Sequence, residues 1–237
     1  GTITFGAIAL TPVSTDKPLF TMTMADLDSA NDFSVTVSDL NVDGSTLEGS
    51  TLVVGSPSSH AVTTSVVTRD GSKIADADVV MSDGTNSTSY KSAADGSVSG
   101  TLTSGSASTI TGSLAYSSST KAVSSQDALD ALKLSVGMTT AAGTKTAFDF
   151  ISADFNQDGK VSSQDALAIL KNSVGLPTTE QAKWVFVDTN GDYSGVSKSN
   201  TSYTEGVSIA ELSADTTVSL TGILIGDVND SYSGLIA

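Results

Sequence analysis

Short runs of alternating apolar and polar residues fill the first half of the chain. TITFGAIAL, PLFTMTM and FSVTVSDL, separated by the turn clusters PVSTDKP, LDSAND and NVDG, predict antiparallel sheet with one wet face over residues 1–57. The alternation continues over 58–118 in VTTSVVTRDGSKIADADVVMSDGTNSTSYKSAADGSVSGTLTSG, with RDGSKIADADVVMSDG as a hairpin and ADGSVSG as a turn. The period then changes. AVSSQDALDALKLSVG (122–137) and KVSSQDALAILKNSVG (160–175) form an internal repeat, and Leu129, Leu132, Val136 and Leu167, Leu170, Val174 fall three and four residues apart. That spacing predicts two helices, each with one buried stripe, packed stripe to stripe. Ser124 and Ser162, with Asp127 and Asp165 three residues on, predict the helix starts, and Gly137 and Gly175 the stops. LPTTEQ reads as a linker, and AKWVFVD and TTVSLTGILIGD as strands that pair beside the helices. AKWVFVD should put Trp184 and Phe186 on one face and Val185 and Val187 on the other. The pairing would bring residue 227 near residue 122.

The richest chemistry lies in DFNQDGKVSSQD, residues 154–165, whose oxygen-bearing side chains fall at the spacing of a calcium loop. Asp154, Asn156 and Asp158 stand at positions 1, 3 and 5, Gly159 at the turn position 6, Lys160 offers a carbonyl at 7, Ser162 stands at 9 and Asp165 at 12. Helix capping alone accounts for Asp127 and Asp165 but leaves Asp154, Asn156 and Asp158 unexplained.

The first repeat has no such loop: Tyr116, Ser118 and Thr120 stand where acids would be needed. The chain ends, however, in GDVNDSYSGLIA, which reads as the front half of a loop with no helix after it. A split site follows as an expectation, with Asp227, Asn229 and Ser231 at positions 1, 3 and 5 and Ala122 (carbonyl), Ser124 and Asp127 at 7, 9 and 12. The competing reading is an Asx-rich turn. A third stretch has Asp188, Asn190 and Asp192 at the opening spacing, but Tyr193 replaces the turn glycine and no acid closes it. Glu211 could do so only across a long insertion, so a polar hairpin turn is expected.

The closing Asp165 in place of Glu, the short Phe-rich AFDFISA before the loop and the duplicated loop-helix unit together resemble a dockerin. The strands of 1–57 loosely resemble the end of a cohesin-like sandwich, and 58–118 resembles a carboxypeptidase-regulatory-like or bacterial Ig-like sandwich, a spacer or binding platform. The expected fold is mainly β with a small α part: antiparallel β-sandwich domains, then a two-helix dockerin-like calcium module at 119–177, then a hairpin-like extension at 178–237 closing on the first repeat. By resemblance, Ca2+ is the cofactor, one ion at the continuous loop and a second at the split site. A protein partner would meet loop positions 10 and 11 and the helix after them: Ser163, Gln164 and Lys171, mirrored by Ser125, Gln126 and Lys133.

Composition narrows the function classes. The 237 residues carry a formal net charge of -15, no Cys and one His. An acidic, cysteine-free, Ser/Thr/Gly/Asp-rich chain fits a bacterial surface or secreted protein in which calcium does the stapling left to disulfides elsewhere. Eleven scattered Lys and Arg form no basic stripe, which argues against nucleic acid and anionic lipid, and no apolar run is long enough to cross a membrane. The start at Gly1, with no signal peptide, is expected to lie inside a longer polypeptide. No enzyme is expected, since there is no Cys nucleophile, His60 stands alone in the Ser-rich SPSSHAV linker, and the acids lie in turns rather than a cleft. Asn86-Ser87-Thr88 and Asn200-Thr201-Ser202 match glycosylation acceptors. Two functions remain: a calcium clamp that rigidifies a stalk, adhesin or filament subunit, with a neighbouring subunit as partner, and a docking module for a cohesin-like domain.

Overall fold

A computed structural model describes residues 59–140, 143 and 145–232, together with four strands between 33 and 54. The chain divides into two units, Gly1–Pro57 and Ser58–Ala237. In the first unit β1 (Phe33–Thr36) pairs antiparallel with β4 (Thr51–Val54), and β2 (Leu40–Val42) with β3 (Ser45–Leu47). The strands expected at TITFGAIAL and PLFTMTM lie outside the described residues.

The second unit is built on two four-stranded sheets. Five strands come first: β5 (Ser59–Val67), β6 (Asp78–Ser82), β7 (Ser87–Lys91), β8 (Ser97–Thr103) and β9 (Ser108–Ser113). Three helices follow, α1 (Ser125–Ser135), α2 (Ala147–Ala153) and α3 (Ser163–Ser173). Then β10 (Trp184–Asp188), β11 (Val207–Ile209) and β12 (Thr216–Leu224) complete the sheets. The strand orders are β10-β12-β5-β8 and β11-β9-β6-β7.

This corrects the expected fold class. The helices do not form a two-helix module following a finished sandwich. They are inserted between strands of the same sandwich, and β12 lies parallel to β5, pairing Thr216–Thr221 with Val62–Val67. A third helix is present: AFDFISA forms α2, whose start is capped by Thr146 with Asp149 three residues on. β10 and β12 do pair, antiparallel, from Trp184↔Leu224 to Asp188↔Leu220.

The core runs through both sheets and the inserted helices as one cluster, from Val62, Ile74 and Ile110 to Leu134, Ile151, Ile169 and Ile225. In β10 both faces are buried, Trp184 and Phe186 as well as Val185 and Val187, while α2 packs on the neighbouring β12. Phe186 is fully enclosed because two glycines make room: a Cβ at Gly112 would stand 2.6 Å from its ring and one at Gly222 3.0 Å from it. His60 lies in β5 rather than in a linker, with Nδ1 3.5 Å from Asp215 Oδ1.

The repeat helices correct a second expectation. α1 and α3 pack on each other, but the buried apolar side chains are Ala128, Ala131 and Leu134 in α1 and Ala166 and Ile169 in α3. The stripes expected inside are exposed: Leu129, Leu132 and Val136, and Leu167, Leu170 and Val174 are 41–63% accessible. The apolar faces of these helices are wider than one interface can cover. The small alanines allow close helix approach, and Leu129, Leu132, Leu167 and Leu170 are left on the solvent side.

Candidate metal centre

The continuous loop joins the end of α2 to the start of α3. Asp154, the C-terminal neighbour of α2, is buried, and its carboxylate accepts the backbone N–H of Asp158 at 3.1 Å and of Gly159 at 3.0 Å. Asp165, fully buried in the first turn of α3, accepts from Asn156 N–H at 3.1 Å with Oδ1 and from Ser162 N–H at 2.8 Å with Oδ2. Gln157 at position 4 has φ 54° and Gly159 at position 6 has φ 91°, which curl the backbone inward so that its N–H groups face the carboxylates. Burial pushes the Asp154 carboxyl above its ordinary range. Asp165 and Asp158 reinforce the shift, and the Thr201 hydroxyl and Gly159 N–H oppose it. Asp158 is exposed, with Oδ2 3.6 Å from Lys160 Nζ.

The tail and the first repeat form the same arrangement from two pieces of chain. Asp227 is buried and accepts the N–H of Ser231 at 2.8 Å and of Tyr232 at 2.9 Å, as Asp154 does from positions 5 and 6 of the continuous loop. Asp127, fully buried, accepts Asn229 N–H at 3.0 Å with Oδ1 and Ser124 N–H at 2.9 Å with Oδ2, as Asp165 does from positions 3 and 9. Asp230 at position 4 has φ 56°, against 54° for Gln157. Ser231 Oγ lies 3.1 Å from the Ala122 carbonyl oxygen. Every residue expected at the split site is therefore brought to it. Tyr232 takes position 6 without glycine, its ring edge-on to Trp184 at 5.0 Å between centroids.

Burial dominates the electrostatics of the split site. Burial, with Asp127 nearby, pushes Asp227 up to about 6, against the N–H groups of Ser231 and Tyr232 and the Arg69 guanidinium. Asn229 Oδ1 is buried with no hydrogen-bond partner, a costly state for an amide oxygen. A hard cation would suit both features, since calcium takes carboxylate, amide and backbone oxygens. Among the described residues no three Asp, Glu, His or Cys side chains converge as a ready-made cluster. Both loops instead combine acids with amide, hydroxyl and carbonyl oxygens, and their carboxylates are turned onto their own N–H groups.

Thr201 was not anticipated. It is buried, its hydroxyl donates to Asp154 Oδ2, and its N–H donates to the Gly159 carbonyl at 3.0 Å. In the sequence it stood out only as part of the glycosylation acceptor Asn200-Thr201-Ser202. Asp188, Asn190 and Asp192 form local turns, with Asn190 N–H on Asp188 Oδ1 and Ser194 N–H on Asp192 Oδ1. Of the residues expected to meet a protein partner, Ser125, Gln126, Ser163, Gln164 and Lys171 are exposed, while Lys133 pairs with the buried Asp130 at 3.0 Å. Compared with protein-family models, with curated proteins and with solved structures, the chain matches none.

Proposed function

We propose that residues 58–232 are a non-catalytic calcium-stapled region of a bacterial surface or secreted protein, in which two ions lock the inserted helices and the chain end into the sandwich. The observation that carries the reading is the match between the two loops. The N–H donors at positions 3, 5, 6 and 9 meet the carboxylates at positions 1 and 12 in the continuous loop and again in the split one. A turn that merely capped a helix would have no reason to repeat all four. The buried, unpartnered Asn229 Oδ1 supports the same reading. Calcium titration calorimetry with parallel melting tests it: two ions and a calcium-dependent rise in melting temperature are expected, and no binding at millimolar calcium would refute it.

The exposed apolar face favours a second role for the same region, protein docking. Leu129, Leu132, Val136, Met138, Leu167, Leu170, Val174 and Leu176, on or just after the packed pair α1 and α3, are all 41% or more accessible, and exposed apolar surface of this kind suits an interaction surface. A protein partner, or a neighbouring copy, would cover it. Calcium-dependent complex formation lost on Leu132→Lys or Leu170→Lys supports docking, and a monomer that captures no partner leaves the clamp alone.

A further inference from the structure

Arg69 lies in the turn after β5, and only 9% of its side chain is accessible. Its guanidinium meets five acceptors. Nε lies 3.3 Å from Asp230 Oδ1 and Nη2 3.2 Å from Asp149 Oδ1. Nη2 also donates to the Val228 carbonyl at 3.1 Å, and Nη1 to the carbonyls of Phe148 at 3.4 Å and Asp227 at 3.5 Å. A guanidinium carries its N–H donors in a fixed planar fork, so three carbonyls and two carboxylates can be engaged at once, the carbonyls by hydrogen bonds and the carboxylates as ion pairs.

Three of the five acceptors belong to residues 227–230, positions 1, 2 and 4 of the split loop. None is an atom assigned to the ion: Arg69 takes the carbonyl of Asp227 and leaves its carboxylate facing inward. The continuous loop has an outside tie of its own, Thr201 on Asp154 and on the Gly159 carbonyl, but there Asp158 at position 5 is also joined through Gly159 directly to Lys160 at position 7. In the split loop that bond is missing. Nothing covalent holds Ser231 beside Ala122, so the backbone of positions 1 to 4 has to be set from outside.

We propose that Arg69 is the positioning residue of the split calcium site, fixing the tail backbone from the sandwich so that ion binding there depends on a residue about 160 positions away in the chain. This rests on the reading of 227–231 with 122–127 as a calcium site. Two physical roles for Arg69 predict opposite signs. A cation near the site repels calcium, so if charge alone mattered its removal would tighten binding. A positioning fork works the other way, and its removal loosens binding.

Calcium calorimetry on the full chain decides between them, with the continuous loop as internal control. Arg69→Gln should weaken the split site tenfold or more and leave the continuous site within about twofold. Arg69→Lys should fail to restore it, because an ammonium offers three donors without the planar fork. Tighter or unchanged affinity in Arg69→Gln, or wild-type affinity in Arg69→Lys, would overturn the proposal. Should Arg69→Gln fail to fold, Asp230→Asn decides: it loosens Arg69 from the tail while Asp149 keeps the cation paired, and threefold or greater weakening at the split site is expected, unchanged affinity overturning the idea. Asp127→Asn separates this from the underlying reading. If that variant still binds two ions the split site itself is wrong, whereas loss of one ion there with normal affinity in the Arg69 variants removes only the positioning role.

Discussion

The backbone N–H of Asn229 donates to Oδ1 of Asp127 at 3.0 Å across 102 residues of chain, and the N–H of Asn156 makes the same bond to Asp165 at 3.1 Å across 9. Loop-closure scaling makes the longer closure costlier by about 2 kcal/mol. That cost is met by the sheet: β12 runs between β10 and β5 and delivers Asp227 to the start of α1. The split loop is thus formed by the tertiary fold, and the continuous loop by local sequence with Thr201 tying it to a distant segment.

Asp158→Ala should remove one calcium ion and leave the other. The variant deletes a charged ligand at position 5 while Asp154 and Asp165 remain, and calorimetry reads the loss. At about a hundredfold excess of calcium over its dissociation constant each ion adds about 2.7 kcal/mol, so the calcium-saturated melting temperature should fall by about 5–10 °C at this size. Unchanged stoichiometry would remove the continuous loop from the reading.

Deleting residues 226–237 should also remove one ion, and so should Asp127→Ala. Val228 is buried, so the deletion will lower stability even without calcium. The informative quantity is the calcium-dependent part of the melting shift, which should fall equally in both variants and no further when they are combined. Additive losses would show two independent roles.

What the sequence disclosed depended on range. The continuous loop was readable because its donors and acceptors lie within twelve residues, and the split loop because the repeat marked a helix without its loop. The parallel pairing of β12 with β5 left no local signal: TTVSLTGIL alternates as any strand does, and nothing in it names Val62–Val67 as a partner. The helix faces were misread for a related reason. Periodicity located an apolar stripe through Leu129 and Leu132, but Ala128, Ala131 and Leu134 form another beside it, and only packing chose the alanine side. Arg69 and Thr201 were invisible because each serves a loop far from it in sequence.

That choice of face can be measured. Ile169 is fully buried and Leu170 is 41% accessible, though they are neighbours in α3. Ile169→Ala should cost about 2–5 kcal/mol in denaturant unfolding, and Leu170→Ala about 0.5 kcal/mol. If the costs were reversed, the stripe expected from periodicity would be the buried one after all.

The calcium-free protein should be most stable near pH 4 to 5. Burial raises Asp227 from 3.8 to about 6, so the folded state binds a proton that the unfolded state does not, and stability increases as pH falls from above 6 towards 4. Asp83 acts below that window. The Thr103 hydroxyl and the N–H groups of Asn86 and Thr85 hold it at about 2, against 3.8 ordinarily. Its contribution is present above about pH 4 and lost as pH falls through 2. Melting in chelator from pH 8 to 2 should therefore trace a maximum. Asp227→Asn should flatten the neutral limb, because it removes the charge that burial penalises, and Asp83→Asn the acid limb. Saturating calcium should abolish the gain on the neutral limb, since the ion competes with the proton for Asp227 and binds the charged form. A monotonic fall in stability from pH 7 to 2 in chelator would mean that Asp227 does not carry an uncompensated buried charge, and would take with it the electrostatic case for an ion at the split site.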